Sequence, residues 1–271
     1  MAFRKNILVA VDPSREKQPA LELAASVTSL NFEGHTPKIY MLLGIDADKR
    51  DTSATNPAMY RNKAYFEELL KAFDDAGLEA DARISWSSDW ADSLMHTATE
   101  EDADMILISN PGSEGGREFS DQFWYLLRNS SVPIGLISTP IVPDPNRILL
   151  AMDLREAIRE EQLSGLNARM LETGKTMEQA YRGELHLAYA YGSSVDHPDR
   201  GRLIKALDMP NENLHLAQGD ADQALQQTFE KVDPHTVIVG ATRRTGIRAA
   251  LRGRKLAEII RKVKHNIFFV V

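Results

Sequence analysis

The chain has 271 residues, enough for one large domain or two of ordinary size with substantial cores. Hydrophobic residues make up 43% and charged residues 26%, as in folded globular proteins. The formal net charge of −7 argues against a general nucleic-acid binder, which needs a broadly basic surface. There is no cysteine, which excludes disulfides, zinc–thiolate centres, iron–sulfur clusters and cysteine nucleophiles. Because neither a secretory leader nor a membrane-spanning apolar run is evident, we expect a cytoplasmic protein without membrane attachment.

In the first half of the chain, short apolar runs alternate with helical patterns. The runs are rich in Ile, Val and Leu with little polar alternation, which is typical of strands buried on both faces of a parallel sheet. In order they are NILVAVD, KIYMLLGI, ADARISW, DMILIS and PIGLIS. The segments between them, such as MYRNKAYFEELLKAFDDAGL, space apolar residues as an amphipathic helix does. This alternation predicts right-handed crossovers and a doubly wound open sheet.

A proline-rich segment, STPIVPDPNR, is followed by a second copy of the same plan. NILVAVDPS returns as RILLAMDLR, and DWADSLMHTATEEDADMILIS aligns without a gap with DADQALQQTFEKVDPHTVIVG. We therefore predict two tandem domains, residues 1–141 and 142–271. In the second domain, the helical region from Glu156 to Tyr181 is interrupted at ETGKT and forms either one helix or two.

Four residues stand at the ends of predicted strands: Asp12, Ser109, Asp153 and Gly240. In doubly wound sheets, ligands bind beyond the carboxyl ends of the strands, so these positions are candidates for a ligand site. Each aspartate stands alone in sequence, without a visible nucleophile or acid partner. Ligand contact or helix capping is therefore favoured over general-base catalysis, and we predict no catalytic residue.

Histidine and tryptophan give weaker signals. None of the seven histidines forms a metal-ligand pattern, so no metal site is predicted. His186 and His215 each follow the first leucine of an LHLA segment; they come close if the two strands are neighbours, and are otherwise ordinary histidines at the rim of a sheet. Trp86, Trp90 and Trp124 lie near the mouth of the first half, where they either shield a pocket or serve packing.

Taken in order, these motifs resemble a tandem universal stress protein of the two-domain E type, over both halves. The resemblance is carried by the two strand-plus-aspartate openings, by LHLAYAYG and LHLAQGDADQAL, and by VIVGATRRTGIRAALRGRKLAEII before the last strand. It implies α/β architecture: two doubly wound domains of the adenine nucleotide alpha hydrolase-like type, each with a five-stranded parallel sheet. It also implies an intramolecular pseudo-dimer through PIGLIS and NIFFVV, with a further homodimer as an open possibility.

ATP-binding members of that family carry a loop of the form G-x-x-G-x(9)-G-[ST]. Its glycines let backbone N–H groups approach the phosphates, and its last glycine opens a helix whose N-terminus favours an anion. In the second half, Gly240 and Gly253 keep the outer glycines. Arg243 and Arg254 replace the inner glycine and the hydroxyl residue.

The first-half loop departs further from that form. Ser109 stands at the first glycine position, Gly112 keeps the second, and SDQFW follows where the last glycine and hydroxyl belong. Ser120 is better explained as the N-cap of a helix. We expect this half to bind no triphosphate in the family's manner.

Two hypotheses remain for the second-half loop. Its arginines either grip the phosphate of ATP or AMP bidentately or fill the crevice as part of a solvated basic face. The sequence favours a stress-response binding or regulatory protein that is neither an enzyme nor a standard ATP binder. The alternatives are an adenine-nucleotide switch with slow hydrolysis and a protein-interaction scaffold. The ligand-site candidates are Asp12, Gly112, Asp153, Gly240, Arg243, Gly253 and Arg254.

Overall fold

A computed structural model of the chain describes residues 6–13, 17–28, 38–45, 63–75, 77–110, 120–155, 158, 163, 165–193, 197–219, 221–241 and 266–271. The chain divides into two compact units, an N-terminal unit of residues 3–141 and a C-terminal unit of residues 142–271. Within the described ranges, no helix combines the length and the apolar character needed to cross a membrane.

The N-terminal unit is a parallel α/β structure. Its described elements are β1 Asn6–Val11, α1 Pro19–Thr28, β2 Lys38–Ile45, α2 Lys63–Asp75, β3 Ala80–Trp86, α3 Trp90–Glu100, β4 Ala103–Ser109, α4 Asp121–Asn129 and β5 Ile134–Ile137. The strands pair in parallel in the order β3-β2-β1-β4-β5. The five predicted strands are confirmed, and so is the doubly wound order.

Burial explains why the central strands lack polar alternation. Strand β4 is buried at every position except Asp104, and all four residues of β5 are buried. Helix α4 packs against α3 and buries one face, which carries Phe123, Leu126 and Leu127. The prediction that Ser120 caps this helix is confirmed, because its hydroxyl accepts a hydrogen bond from Phe123 N at 3.2 Å.

The C-terminal unit repeats this topology. Its described elements are β6 Arg147–Ala151, α5 Gly165–Tyr181, β7 Glu184–Tyr191, α6 Arg200–Leu207, a 3₁₀ turn Asn211–Asn213, β8 Leu214–Gln218, α7 Ala221–Val232, β9 Thr236–Gly240 and β10 Asn266–Val270. The strands pair in parallel in the order β8-β7-β6-β9-β10. The predicted fold class, two tandem five-stranded parallel α/β units, is confirmed; pairing of the halves as a pseudo-dimer stays a prediction.

The sequence left open whether the region around ETGKT forms one helix or two, and helix α5 shows that it forms one. It continues through that segment as a single helix. Within it, Gly174 is buried against the sheet, and an ideal Cβ there would lie 2.9 Å from Leu185 Cδ1 and 3.0 Å from Leu150 Cδ2. The glycine therefore brings the helix close to β6 and β7, and it does not end the helix.

Candidate functional site

Both sheets reverse their strand order between the first and fourth strands of the unit, which is where doubly wound folds form a ligand crevice. We call the edge at which the parallel strands end the carboxyl edge, and the opposite edge the amino edge. In the N-terminal unit, Asp12 follows β1 and Ser109 ends β4; these two strands are neighbours. In the C-terminal unit, Asp153 lies two residues beyond β6 and Gly240 ends the neighbouring strand β9. The structure thus brings these four predicted positions to the carboxyl edge in pairs.

In the N-terminal unit, Ser109 contacts the start of helix α1. Its buried hydroxyl accepts a hydrogen bond from Ala20 N at 3.2 Å. Ala20 belongs to the first turn of α1, where backbone N–H groups have no partner within the helix. A neutral side chain of the same chain therefore satisfies a donor at the helix end where an anion would be favoured.

Two further polar residues at this carboxyl edge are not predicted from the sequence. Gln18 Nε2 donates to the backbone oxygen of Asp12 at 2.5 Å. Asn110 is buried; its backbone N–H donates to Ile137 O at 2.7 Å and its Nδ2 to Ser138 Oγ at 2.9 Å. Asn110 directly follows strand β4, and Gln18 directly precedes Pro19, the first residue of helix α1. These positions are the only sequence signal that could have drawn attention to them.

In the C-terminal unit, the carboxylate of Asp153 is held by Arg155. Arg155 Nε donates to Asp153 Oδ1 and Oδ2 at 3.0 Å, and Arg155 Nη2 donates to Oδ2 at 2.5 Å. The backbone N–H of Arg155 also donates to Oδ1 at 3.1 Å. Because both side chains are largely exposed, the pair contributes only about 0–1 kcal/mol to stability. Its significance is that the carboxylate already has a cationic partner.

Gly240 is a packing position. An ideal Cβ there would lie 2.5 Å from Leu166 Cδ2 and 3.0 Å from Met170 Sδ, both on α5. A larger residue would push these side chains away from the end of β9. The absence of a side chain at Gly240 therefore has an explanation in helix packing that needs no phosphate.

The remaining candidates of the loop motifs, Gly112, Arg243, Gly253 and Arg254, lie outside the described residues, and their roles stay predictions. Among the tryptophans, Trp124 packs edge-on against Phe123, with ring centroids 5.5 Å apart, and Trp90 is half-buried; the side chain of Trp86 lies outside the described set. Across the described part of the chain, no three His, Asp or Glu side chains are grouped so that they could hold a metal ion.

Two parallel α/β units with the same strand order, each with an aspartate after its first strand, define a tandem doubly wound α/β protein. The model of the universal stress protein family matches residues 4–137. The whole chain is similar to the universal stress protein E homolog of Haemophilus influenzae, with 25% identity over 97% of this chain and 96% of the relative. With universal stress protein E of Escherichia coli K12 it shares 24% identity over 100% of this chain and 95% of the relative.

A solved structure supports the fold over both units. The universal stress protein from Archaeoglobus fulgidus DSM 4304 matches 99% of this chain and 97% of its own, with a TM-score of 0.72 and 17% identity. The N-terminal unit thus matches the universal stress protein family, and the similarity over the full length of the chain is to universal stress protein E relatives. The resemblance stated from the sequence motifs is confirmed.

Proposed function

We propose that this chain is a cytoplasmic stress-response binding and regulatory protein that has no enzymatic activity and does not take up ATP in the family's usual manner. The observation that carries the proposal is the occupation of the carboxyl edge by contacts within the chain. The match of the universal stress protein family model to residues 4–137 and the full-length similarity to universal stress protein E relatives support the stress-response role. The absence of cysteine fits a reducing compartment.

The N-terminal unit supports the proposal through Ser109. A backbone-lined phosphate site needs free N–H groups and a close approach of the ligand to the chain. Ser109 brings a side chain to the first glycine position of the motif, and its hydroxyl accepts from Ala20 N. A phosphate at this position would have to displace a buried hydrogen bond.

The C-terminal unit supports it through Asp153 and the loop. Arg155 forms an ion pair with the Asp153 carboxylate, although a ligand would break such an exposed pair at small cost in free energy. The stronger argument comes from the sequence, in which Arg243 and Arg254 stand where a backbone cradle needs glycine and a small hydroxyl residue. Gly240 is retained, but its packing against α5 accounts for that glycine.

Calorimetric titration of the full-length protein with Mg–ATP tests the proposal. We expect no saturable heat from the native chain. The double variant R243G/R254S restores the family's loop pattern in the C-terminal unit and serves as the matched comparison, for which we expect ATP binding to appear. Saturable binding by the native chain, equal to that of the restored variant, would overturn the proposal.

One observation favours a second candidate, an adenine-nucleotide switch. The sequence between β9 and β10 concentrates arginines on a chain whose net charge is −7, and guanidinium groups bind phosphate bidentately. If this candidate is correct, ATP or AMP raises the melting temperature, and R243A/R254A abolishes the rise. A rise that survives both substitutions would eliminate arginine capture of the phosphate.

A further inference from the structure

A pair of histidines lies at the amino edge of the C-terminal unit, away from the ligand crevice. His186 is near the start of β7 and His215 near the start of β8, and these strands are parallel neighbours. His186 Nδ1 and His215 Nε2 are 3.2 Å apart, and the half-buried rings have centroids 5.3 Å apart and planes inclined at 28°. The prediction that the two residues come close is therefore confirmed, as a direct hydrogen bond.

The surroundings of the pair favour one arrangement of its protons. His186 Nε2 is buried without a hydrogen-bond partner and lies 3.8 Å from the Glu184 carboxylate. A carboxylate is only an acceptor, so a hydrogen on His186 Nε2 is favoured over a lone pair there. His186 Nδ1 is then the acceptor, and His215 Nε2–H donates to it. The contact needs at least one nitrogen without a proton.

Charged groups from four neighbouring elements surround the pair. Glu184 on β7 favours the protonated form, whereas Arg147 on β6, Lys231 on α7 and Arg200 on α6 oppose it. Burial is the main cause that lowers the pKa of His186, and Glu184 partly offsets it. Burial, followed by Lys231, the other histidine and Arg200, lowers the pKa of His215 to about 4.

We propose that His186 and His215 form a proton-sensitive clasp that joins the starts of β7 and β8 when neutral and loosens edge strand β8 on acidification. With both rings protonated, every ring nitrogen is a donor, so the 3.2 Å contact loses its acceptor and two like charges face each other. Strand β8 stands last in the strand order of this unit, so β7 holds it from one side. Opening there separates the rings and lets both take up protons.

The sign of the pH dependence follows from the direction of the shifts. Both histidines have a lower pKa in the folded chain than the ordinary value of 6.5, so the opened or unfolded state binds more protons. The clasp therefore contributes its full stabilisation above pH 6.5. That stabilisation is lost as the pH falls from 6.5 towards about 4, where His215 itself becomes protonated in the folded chain.

Hydrogen exchange of the full-length protein at pH 7.5 and pH 5, corrected for intrinsic rates, tests the clasp. We expect protection of the β8 amides to fall by about 10- to 30-fold relative to those of β9, because the opened state takes up about one extra proton over the 1.5 pH units between 6.5 and 5. In H186N/H215Q, Asn places its amide near Nδ1 and Gln near Nε2, so the contact is kept without titration and the fall should be absent. His96, an exposed histidine on α3, provides the control H96Q, which should behave like the native chain.

Imidazole NMR titration of the native protein gives a second readout that needs no variant. The expected result is a coupled pair in which His215 titrates near pH 4 and His186 below its ordinary value. Independent titration of both rings near 6.5 would overturn the proposal. So would unchanged β8 protection at pH 5, or an equal loss of protection in a folded H186N/H215Q protein.

Discussion

Ser109 and Gly240 end the fourth strands of their units, and each contacts the helix that follows the first strand. Ser109 does so through a hydrogen bond to Ala20 N at the start of α1. Gly240 does so through close packing with Leu166 and Met170 near the start of α5. The last residue of the fourth strand thus contacts this helix by a hydrogen bond in one unit and by close packing in the other. In neither unit does the contact require a bound phosphate.

The hydrogen bond between Ser109 and Ala20 N should contribute measurably to stability. Ser109→Ala leaves a buried N–H without its acceptor, so we expect the free energy of unfolding to fall by about 1–2 kcal/mol. Urea denaturation of the full chain measures the change. Ser131→Ala, an exposed serine in the same unit, is the control and should stay within about 0.5 kcal/mol of native. Equal stability of the two variants would show that the hydroxyl does not cap α1.

At the scale of elements, the positions of strands and helices can be predicted from local hydrophobic patterns in the sequence. The way these elements pack against one another cannot be predicted from those patterns. DMILIS predicts β4 because an uninterrupted apolar run suits a strand buried on both faces. From the sequence alone, the glycine in ETGKT is compatible with either one helix or two. The structure shows that Gly174 is needed for close packing against Leu185 and Leu150, which lie on other elements and are not part of the local pattern. The Ser109–Ala20 bond joins residues 89 positions apart, so no local pattern contains it.

The connection between α5 and β7 gives a second prediction. An ideal Cβ on Gly183 would lie 2.5 Å from the backbone oxygen of Asn146, which also accepts from Glu184 N at 2.8 Å. Because that neighbour is backbone, Gly183→Ala should destabilise the chain by about 1–3 kcal/mol or more. Gly201→Ala, on the exposed face of helix α6, should instead stabilise it by about 0.5–1 kcal/mol. Thermal unfolding of both variants measures the difference in stability. A Gly183→Ala variant as stable as the native chain would show that Gly183 does not lie this close to the backbone oxygen of Asn146.

At the scale of the whole molecule, the two units share one topology and differ at their carboxyl edges. The repeat was predictable because two halves with the same order of strands and helices leave the same hydrophobic pattern twice. The contacts at the carboxyl edges were not predictable, since Arg155 and Ser109 act through side-chain geometry that sequence spacing does not encode. The roles proposed for Arg243 and Arg254 still rest on the sequence.

The most direct test of the central claim is the nucleotide content of the freshly purified protein. Denaturing the full-length chain and analysing the released small molecules by mass spectrometry reports what the crevices held. We expect no stoichiometric adenine nucleotide, because the carboxyl edges are occupied by contacts from Ser109 and Arg155 and the loop lacks its inner glycine. Release of about one ATP or AMP per chain would contradict the account.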